Sequence, residues 1–159
     1  MFLKPDYNLK NIYEINLEEL KSRGIKNILF DLDSTLMQSK TANYTQKTLE
    51  WLSEVRRDFF IAVLSNNHNE EYIAKVKQVT DFPMIFYAKK PDTRKASEFL
   101  KEHNLKTSET AIVGDRPLSD IWCGKRLGCL TILVDSISAD VEKPIVRLAR
   151  RLERLAIKK

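Results

Sequence analysis

Five short, uninterrupted apolar runs are spaced along this chain, and four of them are followed at once by residues able to bind or transfer charge. The runs are Ile28-Leu29-Phe30, Phe59 to Leu64, Met84 to Tyr87, Ala111-Ile112-Val113 and Leu130 to Val134. They are continuous rather than alternating, as in strands covered on both faces. Between them, apolar residues recur at helical spacing. Leu49, Leu52, Val55 and Arg56 mark one helix, Tyr72, Ile73, Val76 and Val79 a second, and Ala96, Phe99, Leu100 and His103 a third. Pro91 is suited to the first turn of the third, and Gly128 to the end of a fourth. Strand and helix in alternation imply right-handed crossovers and a parallel sheet. The expectation is a three-layer, Rossmann-like α/β fold with a central sheet of about five strands.

Gly and Pro are few and isolated, and there is no repeat or low-complexity tract. One domain over residues 1–159 is expected, with 1–24 as an N-terminal extension and 143–159 as a basic C-terminal helix. No apolar run approaches the about 18 to 20 residues needed to cross a bilayer. MFLKPDYNLK is no signal peptide, because a charge and a Pro interrupt its apolar start. A cytoplasmic location is expected, with peripheral contact at the inner face of the membrane as a further option. Cys123 and Cys129 form no C-x-x-C pair and read as free buried thiols. Trp51 and Trp122 fall within helical patterns and read as core residues.

In an open α/β sheet, carboxyl-terminal strand ends line the edge where ligands bind. Asp31 and Asp33 follow the first run, Ser65 and Asn66 the second, Lys89 and Lys90 the third, and Gly114 and Asp115 the fourth. Four chemistries far apart in sequence therefore converge on one crevice. Two carboxylates at i and i+2 can face one ligand, one attacking phosphorus and the other exchanging protons with the leaving oxygen and water. The same pair could serve as an Asx turn or helix cap. Ser65 and Asn66 could bind phosphate oxygens or cap the next helix. His68 reads as a surface loop residue, with substrate contact as the alternative. Lys90, fixed beside Pro91, could offset phosphoryl charge as a point cation, and Lys89 is the second choice. Asp31, Asp115 and a backbone carbonyl would suit a hard cation such as Mg2+. Asp120 could ligate through water, orient Lys90, or be an ordinary helix-surface acid.

The set resembles the HAD phosphohydrolases. Asp31-Leu32-Asp33-Ser34-Thr35 is similar to their first motif, Ser65 to the second, Lys90 to the third, and Gly114-Asp115 through Asp120 to the fourth. More narrowly, the chain resembles the YqeG-type subfamily, relatives of the mitochondrial phosphatidylglycerophosphate (PGP) phosphatase. The similar stretches include Lys4-Pro5-Asp6-Tyr7, Gly24-Ile25-Lys26, Ser65-Asn66-Asn67, Ala88-Lys89-Lys90-Pro91, Gly124 to Gly128 and Arg147 to Arg154. Ser34 stands where the subfamily commonly has Asn, Arg116 where Gln is usual, and Asp135-Ser136 replaces a more apolar segment.

The resemblance implies a HAD fold and hydrolysis of a phosphomonoester, with PGP the leading substrate and a soluble ester or phosphoprotein the alternative. It makes Asp31 the nucleophile, Asp33 the general acid/base and Lys90 the catalytic cation. It places Leu32, Ser65, Asn66 and Lys89 at the substrate. It assigns Mg2+ to Asp31, Asp33, Asp115 and Asp120, with Asp33 contributing its carbonyl rather than its side chain. A signalling receiver domain is disfavoured, since Lys89-Lys90 occupies its phosphorylation position. A non-catalytic interaction protein is disfavoured because no catalytic group is missing.

Residues 34–64 and 66–88 are too short to build a cap domain, so the site stays open to a phosphate carried on something large, such as a lipid headgroup. A net charge of +5 favours anionic partners, though no nucleic acid is expected. From Lys143 to Lys159 there are seven basic residues and one acidic residue. Ile145, Leu148, Ala149, Leu152, Leu155 and Ala156 share one helical face there. That stripe is expected to pack on the sheet, and a basic outer face could lie on an anionic membrane.

Overall fold

The computed structural model describes residues 3–137, 148 and 151–155. Its strands are β1 (Tyr7–Leu9), β2 (Asn27–Phe30), β3 (Phe60–Leu64), β4 (Met84–Ile85), β5 (Thr110–Gly114) and β6 (Leu130–Val134). The helices are α1 (Leu17–Ser22), α2 (Gln46–Val55), α3 (Glu70–Gln78), α4 (Arg94–Glu102) and α5 (Trp122–Leu127), the last entered through a π-helical turn at Pro117–Ile121. All strand pairs are parallel, in the order β1-β6-β5-β2-β3-β4.

Alternate residues of each buried strand feed opposite faces. Ile28, Phe30, Ile61, Val63 and Val113 pack with Leu52 and Val55 of α2 and Ile73 and Val76 of α3. Leu29, Ala62, Leu64 and Ile112 pack with Ala96, Phe99 and Leu100 of α4 and with Cys123 of α5. Two helical layers thus cover one sheet, and the continuous apolar runs follow directly from that double burial. Both cysteines are buried free thiols. Burial pushes the Cys123 thiol up to about 11 and the Cys129 thiol up to about 12.

The sheet has six strands where about five were expected. The sixth, β1, lies inside the supposed N-terminal extension, which also holds α1. Asp6 fixes β1 to β6 by accepting from the Thr131 backbone N–H at 2.8 Å and the Thr131 hydroxyl at 3.0 Å. Pro91 does not open α4. The helix starts at Arg94, after Thr93, and the Asp92 carboxylate accepts from the Arg94 N–H at 2.8 Å. Gly128 ends α5 as expected, in the left-handed region at φ 82°. The expected C-terminal stripe is also reversed where it is described. Leu148, Leu152 and Leu155 are exposed rather than packed on the sheet. Ile145, Ala149 and Ala156 lie outside the described residues. Among those described, no helix is long and apolar enough to cross a membrane.

The strand order places the site. From β2 the chain moves through β3 to β4 on one side, then returns to β5 and moves through β6 on the other. The direction therefore reverses between the neighbours β2 and β5, and the crevice beyond their carboxyl ends is where α/β sheets bind ligands.

Candidate active site

Asp31 leaves β2 beside β5, its backbone N–H donating to the Val113 carbonyl at 2.8 Å. Asp115 leaves β5 directly opposite. Lys90 reaches the same point from beyond β4. Its ammonium donates to Asp31 Oδ1 at 2.9 Å, to Asp120 Oδ1 at 2.6 Å and to the Leu64 carbonyl at 2.6 Å. Three acceptors satisfy the three N–H bonds of a buried ammonium. Burial alone would lower its pKa, but Asp120 and Asp31 outweigh that and raise it, so Lys90 remains a cation.

Asp31, Asp115 and Asp120 bring one carboxylate oxygen each within 4.8 Å of one another. Two of these acids, Asp31 and Asp120, pair with the Lys90 ammonium. Burial raises the Asp31 pKa well above the usual carboxylate range, and Asp120 and Asp115 add to it against Lys90. All the donors are hard carboxylate oxygens, so the set fits a divalent ion such as Mg2+. Both Asp120 oxygens already accept hydrogen bonds, Oδ1 from Lys90 and Oδ2 from the Arg116 N–H at 3.1 Å. Asp31 and Asp115 are thus the better-placed ligands, with Asp120 holding Lys90 against Asp31. The Asp33 side chain is outside this cluster.

Gly114 makes the arrangement possible. A Cβ at that position would lie 2.1 Å from Asp120 Cγ, where no side chain fits. Gly114→Ala is expected to cost about 2–4 kcal/mol and to lower the melting temperature by about 5–15 °C. Calorimetry of the two proteins checks this.

Asp33 has a different set of partners, all of them neutral. The Tyr72 hydroxyl donates to Oδ1 at 2.6 Å, the Lys40 backbone N–H donates to Oδ1 at 3.3 Å, and the Asn67 amide donates to Oδ2 at 3.3 Å. Burial and the bonded Asp33 carboxylate raise the Tyr72 pKa, so its hydroxyl keeps its proton and acts as a donor. Between the two acids the chain turns sharply through Ser34, at φ 72°. Asn adopts that left-handed conformation more readily than Ser does.

The cleft over these groups has a volume of about 910 Å³, and Asp31, Asp33, Ser65, Asn66, Lys90, Asp115 and Asp120 all line it. The buried Ser65 hydroxyl accepts from the Asn67 N–H at 3.0 Å, leaving its own proton to donate. Asn66 exchanges two hydrogen bonds with the Lys90 backbone, accepting at 2.6 Å and donating at 3.1 Å, and so fixes the lysine's loop. His68 is exposed at the cleft wall.

Two expected substrate contacts fall elsewhere. Leu32 is fully buried in the core, so its side chain cannot reach a ligand. Lys89, at φ 56°, lines a separate cleft with Tyr87 and Asp92, because the backbone turns between it and Lys90. Sequence reasoning missed Tyr72 and Asn67 as partners of Asp33. Tyr72 shares the helical spacing of Ile73 and Val76, and its hydroxyl is the available signal of a second role.

Comparison with known proteins agrees with this geometry. Residues 1–138 match the family described as mitochondrial PGP phosphatase. The chain is 32% identical over 153 residues to the probable phosphatase YqeG of Bacillus subtilis (strain 168), covering 96% of this chain and 88% of that protein. It is 30% identical over 167 residues to phosphatidylglycerophosphate phosphatase 1, chloroplastic/mitochondrial, of Arabidopsis thaliana, covering 99% of this chain and 48% of that protein. The chain thus spans about half the length of the plant relative. Among solved structures, an uncharacterized protein from Listeria monocytogenes serotype 4b shares the fold with a TM-score of 0.55 at 20% identity, over 80% of this chain and 99% of that one. A hypothetical protein from Xanthomonas campestris does so with a TM-score of 0.51 at 13% identity, over 94% and 92%. The chain belongs to the mitochondrial PGP phosphatase family and is a phosphatase, with no cap domain among its described residues.

Proposed function

We propose that this phosphatase is Mg2+-dependent, works through an aspartyl-phosphate on Asp31, and acts on the terminal phosphate of a PGP-like lipid headgroup. The observation that carries the mechanism is the unequal setting of the two acids. Asp31 lies against the Lys90 ammonium, while Asp33 sits among neutral donors. Paired acids in different environments take different roles. Asp31 attacks phosphorus as its carboxylate, the form that Lys90 favours against burial, the bond to the alcohol oxygen breaks, and Asp33 gives that oxygen its proton. Asp33 then takes a proton from water, whose oxygen attacks phosphorus and displaces Asp31, releasing phosphate. The Ser65 hydroxyl donates to a phosphoryl oxygen, and the Lys90 ammonium offsets the phosphoryl charge from its place beside Asp31. Asp31, Asp115 and the Asp33 carbonyl would hold a divalent ion, whose charge would add to the neutralisation of the transferring group.

The lipid substrate is supported by the named activity of the plant relative and by the open cleft. Only a loop and α2 lie between β2 and β3, and only α3 between β3 and β4, so neither insert builds a cap over the mouth. Phosphate release should be measured from PGP in mixed micelles and from a panel of soluble esters, with Mg2+ and with chelator. Turnover of PGP that chelation abolishes is expected. Turnover of soluble esters alone would overturn the substrate, and undiminished turnover in chelator would overturn the metal.

Tyr72 orients Asp33 in this scheme. Tyr72→Phe is expected to lower kcat by about tenfold with KM little changed, because one hydrogen bond to the acid/base is lost and no substrate contact is. Steady-state kinetics on one soluble ester separates the two constants.

A further inference from the structure

Large exposed apolar side chains gather beside the cleft mouth. Leu118, 41% exposed, lines the cleft itself. Leu148, Leu152 and Leu155 are 53%, 57% and 53% exposed. Their spacing of four and three residues puts them on one face of a helix, and residues 148 and 151–155 are helical. Such a row on a helix end normally turns inward.

Here the polar side chains turn inward instead. Glu153 is buried, lines the cleft and accepts from Arg116 Nη2 at 2.8 Å. Arg154 donates to the Asp115 carbonyl at 3.3 Å and to the Val134 carbonyl, and pairs with Asp135 at 3.0 Å. The segment is therefore fastened to the rim of the active site by its charges, with its leucines facing out.

Charge complementarity identifies what covers them. Residues 143–159 hold seven Lys and Arg against Glu153 alone, and Arg116 already pairs with that glutamate. The outward leucines thus belong to a strongly basic stretch of sequence, and Arg151 beside them is exposed. A water-soluble protein partner of opposite charge would match the arginines but not a row of leucines. An anionic bilayer matches both, acyl chains meeting the leucines and headgroups meeting the arginines.

We propose that Leu148, Leu152 and Leu155 form an interfacial docking face for anionic phospholipid bilayers, which seats the open cleft at the lipid surface. Its purpose rests on the lipid-headgroup reading above, but its test does not. The full chain is sedimented with vesicles of phosphatidylcholine alone and of phosphatidylcholine with phosphatidylglycerol, neither containing a phosphomonoester. Binding to the anionic vesicles only is expected. The triple variant Leu148→Ser, Leu152→Ser, Leu155→Ser should lower the partition coefficient at least about tenfold, and Arg151→Glu by about tenfold. Turnover of a soluble phosphate ester should stay unchanged in both variants, since neither touches the site. Should the triple variant misfold, Leu152→Ser alone still reports, with a fall of about threefold or more.

A parent chain that stays in the supernatant overturns the proposal. So do variants that bind as well as the parent, or a parent dimer that the triple variant dissociates, since a second copy would then cover the face. If docking holds while PGP is not hydrolysed, the substrate fails and the surface stands.

Discussion

Asp31→Asn is expected to reduce phosphate release by at least about 10⁴-fold while leaving the fold intact. The amide has no anionic oxygen with which to attack phosphorus, so the covalent route closes. Its carbonyl oxygen can still accept from Lys90. That ammonium also keeps the Asp120 carboxylate and the Leu64 carbonyl, so no buried charge is orphaned. Unfolding free energy should therefore stay within about 1 kcal/mol of the parent. Phosphate release and urea unfolding, measured on one preparation, check both halves. Activity equal to the parent's would remove Asp31 from the chemistry, and a large loss of stability would mean that its charge serves the fold.

Lys90→Met should do the reverse, harming fold and activity together. Methionine fills the space of the lysine stem, so the effect isolates the charge. Without the ammonium, Asp31 and Asp120 face each other in a buried site, and Asp120 has almost no access to water. Breaking a buried pair in this way costs about 3–5 kcal/mol, or a melting temperature lower by about 6–20 °C. Activity should fall by about 10³-fold or more, because the transferring phosphoryl group loses its point cation. Lys90→Arg should not restore it, since a planar guanidinium cannot direct three bonds from one nitrogen to Asp31, Asp120 and Leu64. Calorimetry and initial rates on the three proteins decide this.

The contrast shows which parts of the site could be read from residue order. Asp31, Ser65, Lys90 and Asp115 were legible because each lies within three residues of the end of an apolar run, and a parallel sheet sends all such ends to one edge. The buried strands were legible for the same reason. The edge strand β1 was not, since three half-covered residues carry no apolar run and its attachment is a polar one, Asp6 to Thr131. Lys89 was indistinguishable from Lys90 in sequence, because a left-handed backbone turn rather than residue type separates their directions. Tyr72 was hidden for another reason. It keeps helical spacing with the core residues Ile73 and Val76, while its hydroxyl reaches across to a carboxylate 39 positions earlier. The leucines at 148, 152 and 155 have the spacing of a packed stripe, and only the inward fastening of Glu153 and Arg154 reveals the opposite orientation.

Lys90 meets one acid 59 positions before it and another 30 positions after it. During synthesis, then, no partial chain holds a working centre. The nucleophile emerges early, its cation much later, and Asp115 only with the second side of the sheet. Phosphate release thus doubles as a stringent gauge of complete assembly, silent in truncated or half-folded molecules and switched on by the last pieces to join.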